Sequence, residues 1–83
     1  MMFSANWTAR AWEELGKLEA PVARRILKKI DELIKDPHSG DIKRLKGMTA
    51  FRLRVGDYRV IFEVESNTIF ILKVGHRKNI YEK

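Results

Sequence analysis

Cysteine is absent from the 83 residues. Neither a disulfide framework nor a thiolate metal site is available, and a domain this small must hold together by packing or by a partner. Long apolar runs are also missing. No stretch approaches the ~18 residues of a membrane span, and Met1-Met2-Phe3-Ser4 lacks the basic-then-apolar pattern of a secretory leader. A soluble, unprocessed, cytoplasmic protein is the expectation. Internal repeats, low-complexity tracts and linkers are absent, and a chain of this length buries only roughly 60–65% of its unfolded surface. One domain over residues 1–83 is therefore expected. There is no Gly-rich phosphate loop, zinc-ligand spacing or carboxylate pair, so the enzyme classes built on them have no support and neither metal nor cofactor is expected.

Acidic residues are scarce in one half only. Residues 1–41 hold seven basic and seven acidic side chains, whereas residues 42–83 hold ten basic against four acidic and carry the whole net charge of +6. With 45% hydrophobic residues the chain is expected to fold. A basic field confined to one half points to a polyanionic partner, nucleic acid first and an acidic protein second. A solvated basic surface is the plainer alternative.

Phe3, Ala5 and Trp7 alternate as in a short strand. Thr8 then suits a helix N-cap, and Ala11, Trp12, Leu15 and Leu18 recur at helical spacing over about three turns. Pro21 suits the first turn of a second helix, whose apolar set Val22, Ile26, Ile30, Leu33 and Ile34 keeps the 3.6-residue period up to Asp36-Pro37. After a loop at His38-Ser39-Gly40-Asp41 the period changes to two. Strands are expected at about Phe51–Val55, Tyr58–Val64 and Thr68–Val74. They are joined by a two-residue type II′ turn at Gly56-Asp57 and a three-residue loop, Glu65-Ser66-Asn67, ending in a left-handed Asn67.

The first turn places Arg54 opposite Arg59, Leu53 opposite Val60 and Phe51 opposite Phe62. The second is expected to set Tyr58 beside Val74, Val60 beside Leu72 and Phe62 beside Phe70. One face is then apolar, and the other carries Arg52, Arg54, Arg59 and Lys73 with Ile61, Ile69 and Ile71. Like charges opposite one another cost a few tenths to about 1 kcal/mol, which an anionic ligand would offset. Antiparallel sheets often keep one face solvated and basic, but four cations beside three isoleucines exceed that pattern. Guanidiniums suit bidentate phosphate contacts and stack on bases, and the isoleucines suit a protein partner.

Past the last strand, Val74-Gly75-His76-Arg77-Lys78-Asn79-Ile80-Tyr81 gathers an imidazole, a guanidinium, an amine and a phenol. Cutting RNA without metal needs a base for the 2′-hydroxyl, cations for the charge growing on phosphate, and an acid for the departing 5′-oxygen. Histidine is the residue type that exchanges protons near neutrality. A lone histidine is nevertheless more often structural. His38, in the loop after Pro37, is given no role.

Arg44-Leu45-Lys46-Gly47-Met48, the stretch from Phe51 through Gly56-Asp57-Tyr58-Arg59 to Phe62, and Val74 through Tyr81 are similar to the signature blocks of the RelE/ParE toxin superfamily, in its RelE-like branch. The resemblance covers nearly the whole chain. It implies an α+β fold of two N-terminal helices packed on a four-stranded antiparallel sheet, RelE-like and microbial-ribonuclease-like. It also implies a toxin that cuts messenger RNA on the ribosome, metal-independent, by 2′-hydroxyl attack on the adjacent phosphate. The implied partners are a RelB-like antitoxin, in a toxin–antitoxin heterotetramer, and the ribosome with its mRNA, with no membrane.

Carried over residue by residue, the resemblance makes Arg52 and Arg54 the basic pair, Arg59 the phosphate-stabilising arginine, Arg77 the general acid and Tyr81 the stacking tyrosine. Arg44 and Lys46 approach ribosomal RNA, with Lys73 and Lys78 as further RNA or ribosome contacts. One position departs from the pattern. Arg54 stands where the best-studied branch has a lysine base, and a guanidinium is a poor proton acceptor, so His76 becomes the candidate base. Tyr81 also lies closer to Arg77 than in that branch. Two alternatives remain: a ParE-like gyrase inhibitor without chemistry, which the resemblance gives the same fold but generally not the full set of Arg52, Arg54, Arg59, His76, Arg77 and Tyr81, and a passive RNA-binding module whose affinity falls with salt.

Overall fold

The computed structural model of the protein describes residues 3–47 and 49–80. The chain runs β1 (Ser4–Trp7), α1 (Ala9–Gly16), α2 (Ala20–Lys35), β2 (Asp41–Arg44), β3 (Phe51–Val55), β4 (Tyr58–Glu65), β5 (Thr68–His76). Thr8 caps α1: its Oγ1 accepts from the Ala11 amide at 3.1 Å and donates to the Ile71 carbonyl at 2.9 Å. One side chain thus starts the helix and ties it to β5. The helix stops at Gly16, a turn short of the three expected, since glycine lowers helix propensity by about 1 kcal/mol. Pro21 lies in the first turn of α2, and Ile26, Ile30 and Leu33 form its buried stripe. The helix ends at Asp36, extended as the residue before a proline must be.

The five strands form one sheet in the order β1-β5-β4-β3-β2. Three pairings are antiparallel, but β1 runs parallel to β5, with Ser4 beside Thr68 and Trp7 beside Ile71. The α+β architecture with two N-terminal helices is as expected, and the count of four antiparallel strands is corrected to five in a mixed sheet. Asp41, read as loop, begins the extra strand. β2 has one apolar residue, Ile42, so no alternation announces it.

The β3–β4 register is the one read from the sequence: Phe51 opposite Phe62, Leu53 opposite Val60, Arg54 opposite Arg59 and Val55 opposite Tyr58. Gly56 has φ +59, as the first central residue of a II′ turn requires. The β4–β5 register differs. Glu65 pairs with Thr68, so the loop has two residues, Ser66 and Asn67, both with positive φ (50° and 63°), the pattern of a type I′ turn. The strands then meet as Phe62 with Ile71, Val60 with Val74 and Tyr58 with His76, the ladder shifting between Ile61 and Phe62. Leu72 is the extra residue of that bulge.

The shorter turn moves Ile69 and Ile71 to the opposite face from the one expected, while Ile61 stays on the outer face. Ile69 and Ile71 belong to the main core, between the helices and one sheet face, with Ala11, Leu15, Ile26, Ile30, Leu33, Leu53, Val60 and Phe62. Ile61 lies in a second, smaller cluster with Leu45 and Ala50, covered by Leu72 and Ile80. All three, expected on an exposed face, are at most 5% exposed. The outer sheet face therefore has its own small apolar core, and its basic residues surround that core.

Candidate nucleic-acid interface

The Gly56-Asp57 turn organises the basic residues. Arg54 and Arg59 are neighbours across it on the outer face, yet their guanidiniums leave in opposite directions. Arg59 Nη1 donates to the turn carbonyls of Gly56 (2.9 Å) and Tyr58 (3.0 Å). Arg54 Nη1 reaches Asp41 Oδ2 on β2 at 3.8 Å, and the other Asp41 oxygen accepts from Arg52 Nη1 at 3.5 Å. Asp41 thereby relieves the repulsion that facing arginines create. Arg52 is only 9% exposed. It stays on the outer face as expected, but as a buried prop of the β2–β3 pair more than an open contact.

The segment after β5 folds back to the same turn. The Arg77 amide donates to the Asp57 carbonyl at 2.8 Å, and Arg77 Nε lies 3.8 Å from Asp57 Oδ1. Both side chains of that pair are more than half exposed, so the main-chain bond contributes more than the ion pair. The amides of Lys78 and Asn79 donate to His76 Nδ1 (3.2 Å) and to the His76 carbonyl (2.8 Å), closing a turn that sets Lys78 beside Arg77. Gly75 leaves room for Ile80 to lie across the sheet; a Cβ there would be 3.3 Å from Ile80 Cδ1 and Cγ1. Arg59, Arg77, Lys78 and Ile80 then line one shallow depression.

Not every expected residue joins it. His76 pairs with Tyr58 in the ladder and meets its ring edge-on, centroids 5.3 Å apart. Tyr58 packs against the main core, so alternation puts His76 on the helix-covered side of the sheet, away from Arg54 and Arg59. With Nδ1 accepting from Lys78, the neutral ring carries its proton on Nε2 and is a donor there. Lys73 is exposed beside Ile61 on the outer face. Arg44 and Lys46 line a separate depression with Leu45, Gly47 and Thr49, at the β3 end remote from the turn. Tyr81 lies outside the described residues.

Other residues of the interface had no signal in the sequence. Asp41 couples to Arg52 and Arg54 only through a strand that the pattern hides, and Tyr58 meets His76 only through the shifted register. Among the described residues no group of three or more His, Asp or Glu side chains could hold a metal ion, and no helix is long and apolar enough to cross a membrane. An apolar cleft at the opposite end of the sheet, lined by Phe3, Leu33, Pro37, Ile42, Phe51 and Val64 among others, is separate from the depression formed by Arg59, Arg77 and Lys78.

Comparison with known proteins decides the family. The model of the ParE toxin of type II toxin–antitoxin systems, parDE, matches residues 5–81. The chain belongs to the RelE/ParE toxin superfamily. Within it, RelE from Pyrococcus horikoshii OT3, solved in complex with RelB, is 30% identical, with 96% of this chain and 100% of that chain covered and a TM-score of 0.80. RelE of the Methanococcus jannaschii RelB–RelE complex is 32% identical over 90% of this chain and 93% of its own, with a TM-score of 0.77. Toxin RelE3 of Methanocaldococcus jannaschii is 49% identical over 43 residues, and the match spans about half of each chain, 51% of this one and 49% of that relative. Its fold and family are those that the Arg-rich hairpin and the Gly75-His76-Arg77-Lys78 ending resemble.

Proposed function

We propose that the protein is the toxin of a toxin–antitoxin pair and that it cuts messenger RNA on the ribosome, in the cytoplasm. One observation carries the chemistry: Arg59, Arg77 and Lys78 are brought from two strand ends into one depression, with Arg54 beside Arg59. Arg59, fixed by two turn carbonyls, meets a non-bridging phosphate oxygen without reorganising, which is how pre-organised donors lower a barrier. Arg77, set by its bond to the Asp57 carbonyl, gives a proton to the departing 5′-oxygen as general acid and regains one from solvent. The 2′-hydroxyl attacks the adjacent phosphorus, the bond to the 5′-oxygen breaks, and a cyclic phosphate and a free 5′-hydroxyl result.

The proton of the 2′-hydroxyl needs an acceptor that no arginine supplies. His76 presents Nε2–H and serves to hold the Arg77–Lys78 turn, so the acceptor comes from the ribosome. Orientation by such a partner is worth ~7–11 kcal/mol of barrier. Lys73, Arg44 and Lys46 supply flanking contacts to ribosomal RNA. A RelB-like antitoxin, acidic where it meets the rim, neutralises the toxin.

The family model describes ParE toxins, which favours a second reading, a gyrase inhibitor without chemistry. Incubation with mRNA-programmed ribosomes, beside a gyrase supercoiling assay, separates the two. Cleaved message with untouched gyrase is the expected result; intact message with blocked supercoiling would overturn the nuclease.

A further inference from the structure

The helix-covered side of the same rim carries a cation that the outer depression does not use. Arg25, in the second turn of α2, extends to the β3–β4 turn: a Cβ on Gly56 would stand 3.0 Å from its Nη2 and 3.6 Å from its Cζ and Nη1. The guanidinium therefore lies against Gly56, the residue whose carbonyl receives Arg59. Among the described residues no carboxylate lies within ion-pairing distance of Arg25. An exposed arginine held against a turn, with no carboxylate of the described residues to pair with it, costs side-chain entropy, and an anion there would offset the cost. His76 stands on this side too, beside Tyr58. Cations thus reach a two-residue turn from both sheet faces, and the turn is thin because Gly56 has no side chain. One small anion cannot serve both faces, but a chain of phosphates can.

We propose that the Gly56-Asp57 turn is a saddle over which a single-stranded RNA backbone crosses, one phosphate held by Arg59, Arg77 and Lys78 and a neighbouring one by Arg25. This rests on the reading of the outer depression as an RNA site. Gly56 is then required for its positive φ of 59° and for the room its missing Cβ leaves to Arg25. The crossing also brings the backbone past His76, which a path confined to the outer face never meets.

The test is binding of a fluorescein-labelled 2′-O-methyl hexauridylate, which the 2′-hydroxyl mechanism cannot cut, followed by anisotropy over a range of salt. Each phosphate contact on single-stranded nucleic acid contributes about 0.7 to the slope of log affinity against log salt. Arg25→Gln and Arg59→Gln are each expected to lower the slope by about that amount, Arg25→Lys to retain it, and Arg24→Gln on the same helix to leave it unchanged. Thermal melts of all four confirm folding. If Arg59→Gln lowers the slope and Arg25→Gln behaves as Arg24→Gln does, the saddle is overturned while the RNA site stands. A loss of affinity by Arg25→Gln confined to poly-L-glutamate, with the RNA slope intact, assigns Arg25 to an acidic protein and also overturns it. No binding by the unmodified protein even at low salt removes the RNA site, and the saddle with it.

Discussion

Arg59 and His76 are read from the sequence as phosphate stabiliser and base, and their hydrogen bonds bear differently on those two roles. Arg59 is fixed on the carbonyls of Gly56 and Tyr58, so its charge is in place before phosphate arrives. Arg59→Ala is expected to lower the single-turnover cleavage rate on programmed ribosomes by roughly 10²–10³, the usual loss for one pre-organised donor, with much weaker effects on ribosome binding. A wild-type rate would remove Arg59 from the reaction. His76 accepts the Lys78 amide at Nδ1 and lies across the sheet from Arg59. His76→Gln retains an acceptor for that amide, so it should keep most of the rate and leave the shape of the pH–rate profile unchanged, whereas His76→Ala should lose more. Disappearance of the acid limb in His76→Gln would instead make His76 the base. Its face was legible through Val74, two residues earlier, which the expected and the observed registers both turn to the core; its partner Tyr58 was not, since that pairing needs the shifted ladder.

Helices and the β3–β4 hairpin were legible because their signals are local: Thr8 before a 3.6-residue pattern, Pro21 at a helix start, and Gly56-Asp57 fixing a register within five residues on either side. What was not legible depends on partners far along the chain. β2 is a strand because Asp41 to Arg44 lie along β3, not because of its own residues. The bulge at Leu72 has no turn residue to mark it, and counting from a loop one residue too long placed Ile69 and Ile71 on the wrong face. The basic cluster around Arg59 was nonetheless found, since it lies on the hairpin whose turn was read correctly. Ile71, fully buried, gives the register a direct check. Ile71→Ala should cost about 2–5 kcal/mol in urea unfolding, as a buried deletion does; a loss within about 0.5 kcal/mol, typical of surface positions, would restore the three-residue loop and its register.

For the molecule as a whole, charge and topology act together. The basic half of the chain forms the outer face and rim, and the neutral half forms the helices that cover the core, leaving Arg25 as the cation that the helical layer extends to the rim. The parallel pairing of β1 with β5 has a consequence for synthesis. Ser4 finds its partner only when Thr68 is available, and Thr8 is tied to Ile71 across 63 positions, so the first strand waits for the last. The Val74 amide, on the same strand, donates to the Glu14 carboxylate at 2.9 Å, so α1 also lacks its seat until β5 exists. Such non-local closure makes folding late as well as slow. A nascent chain stalled with β5 still inside the exit tunnel should be digested readily by protease, and one released beyond Lys78 should resist. Equal resistance in the two would show that the helices and first hairpin fold unaided. In a protein proposed to attack ribosomes, this order of assembly is a timing device: the rim is completed only once β5 has left the tunnel, so the ribosome that makes the toxin has already translated all five strands before the weapon exists.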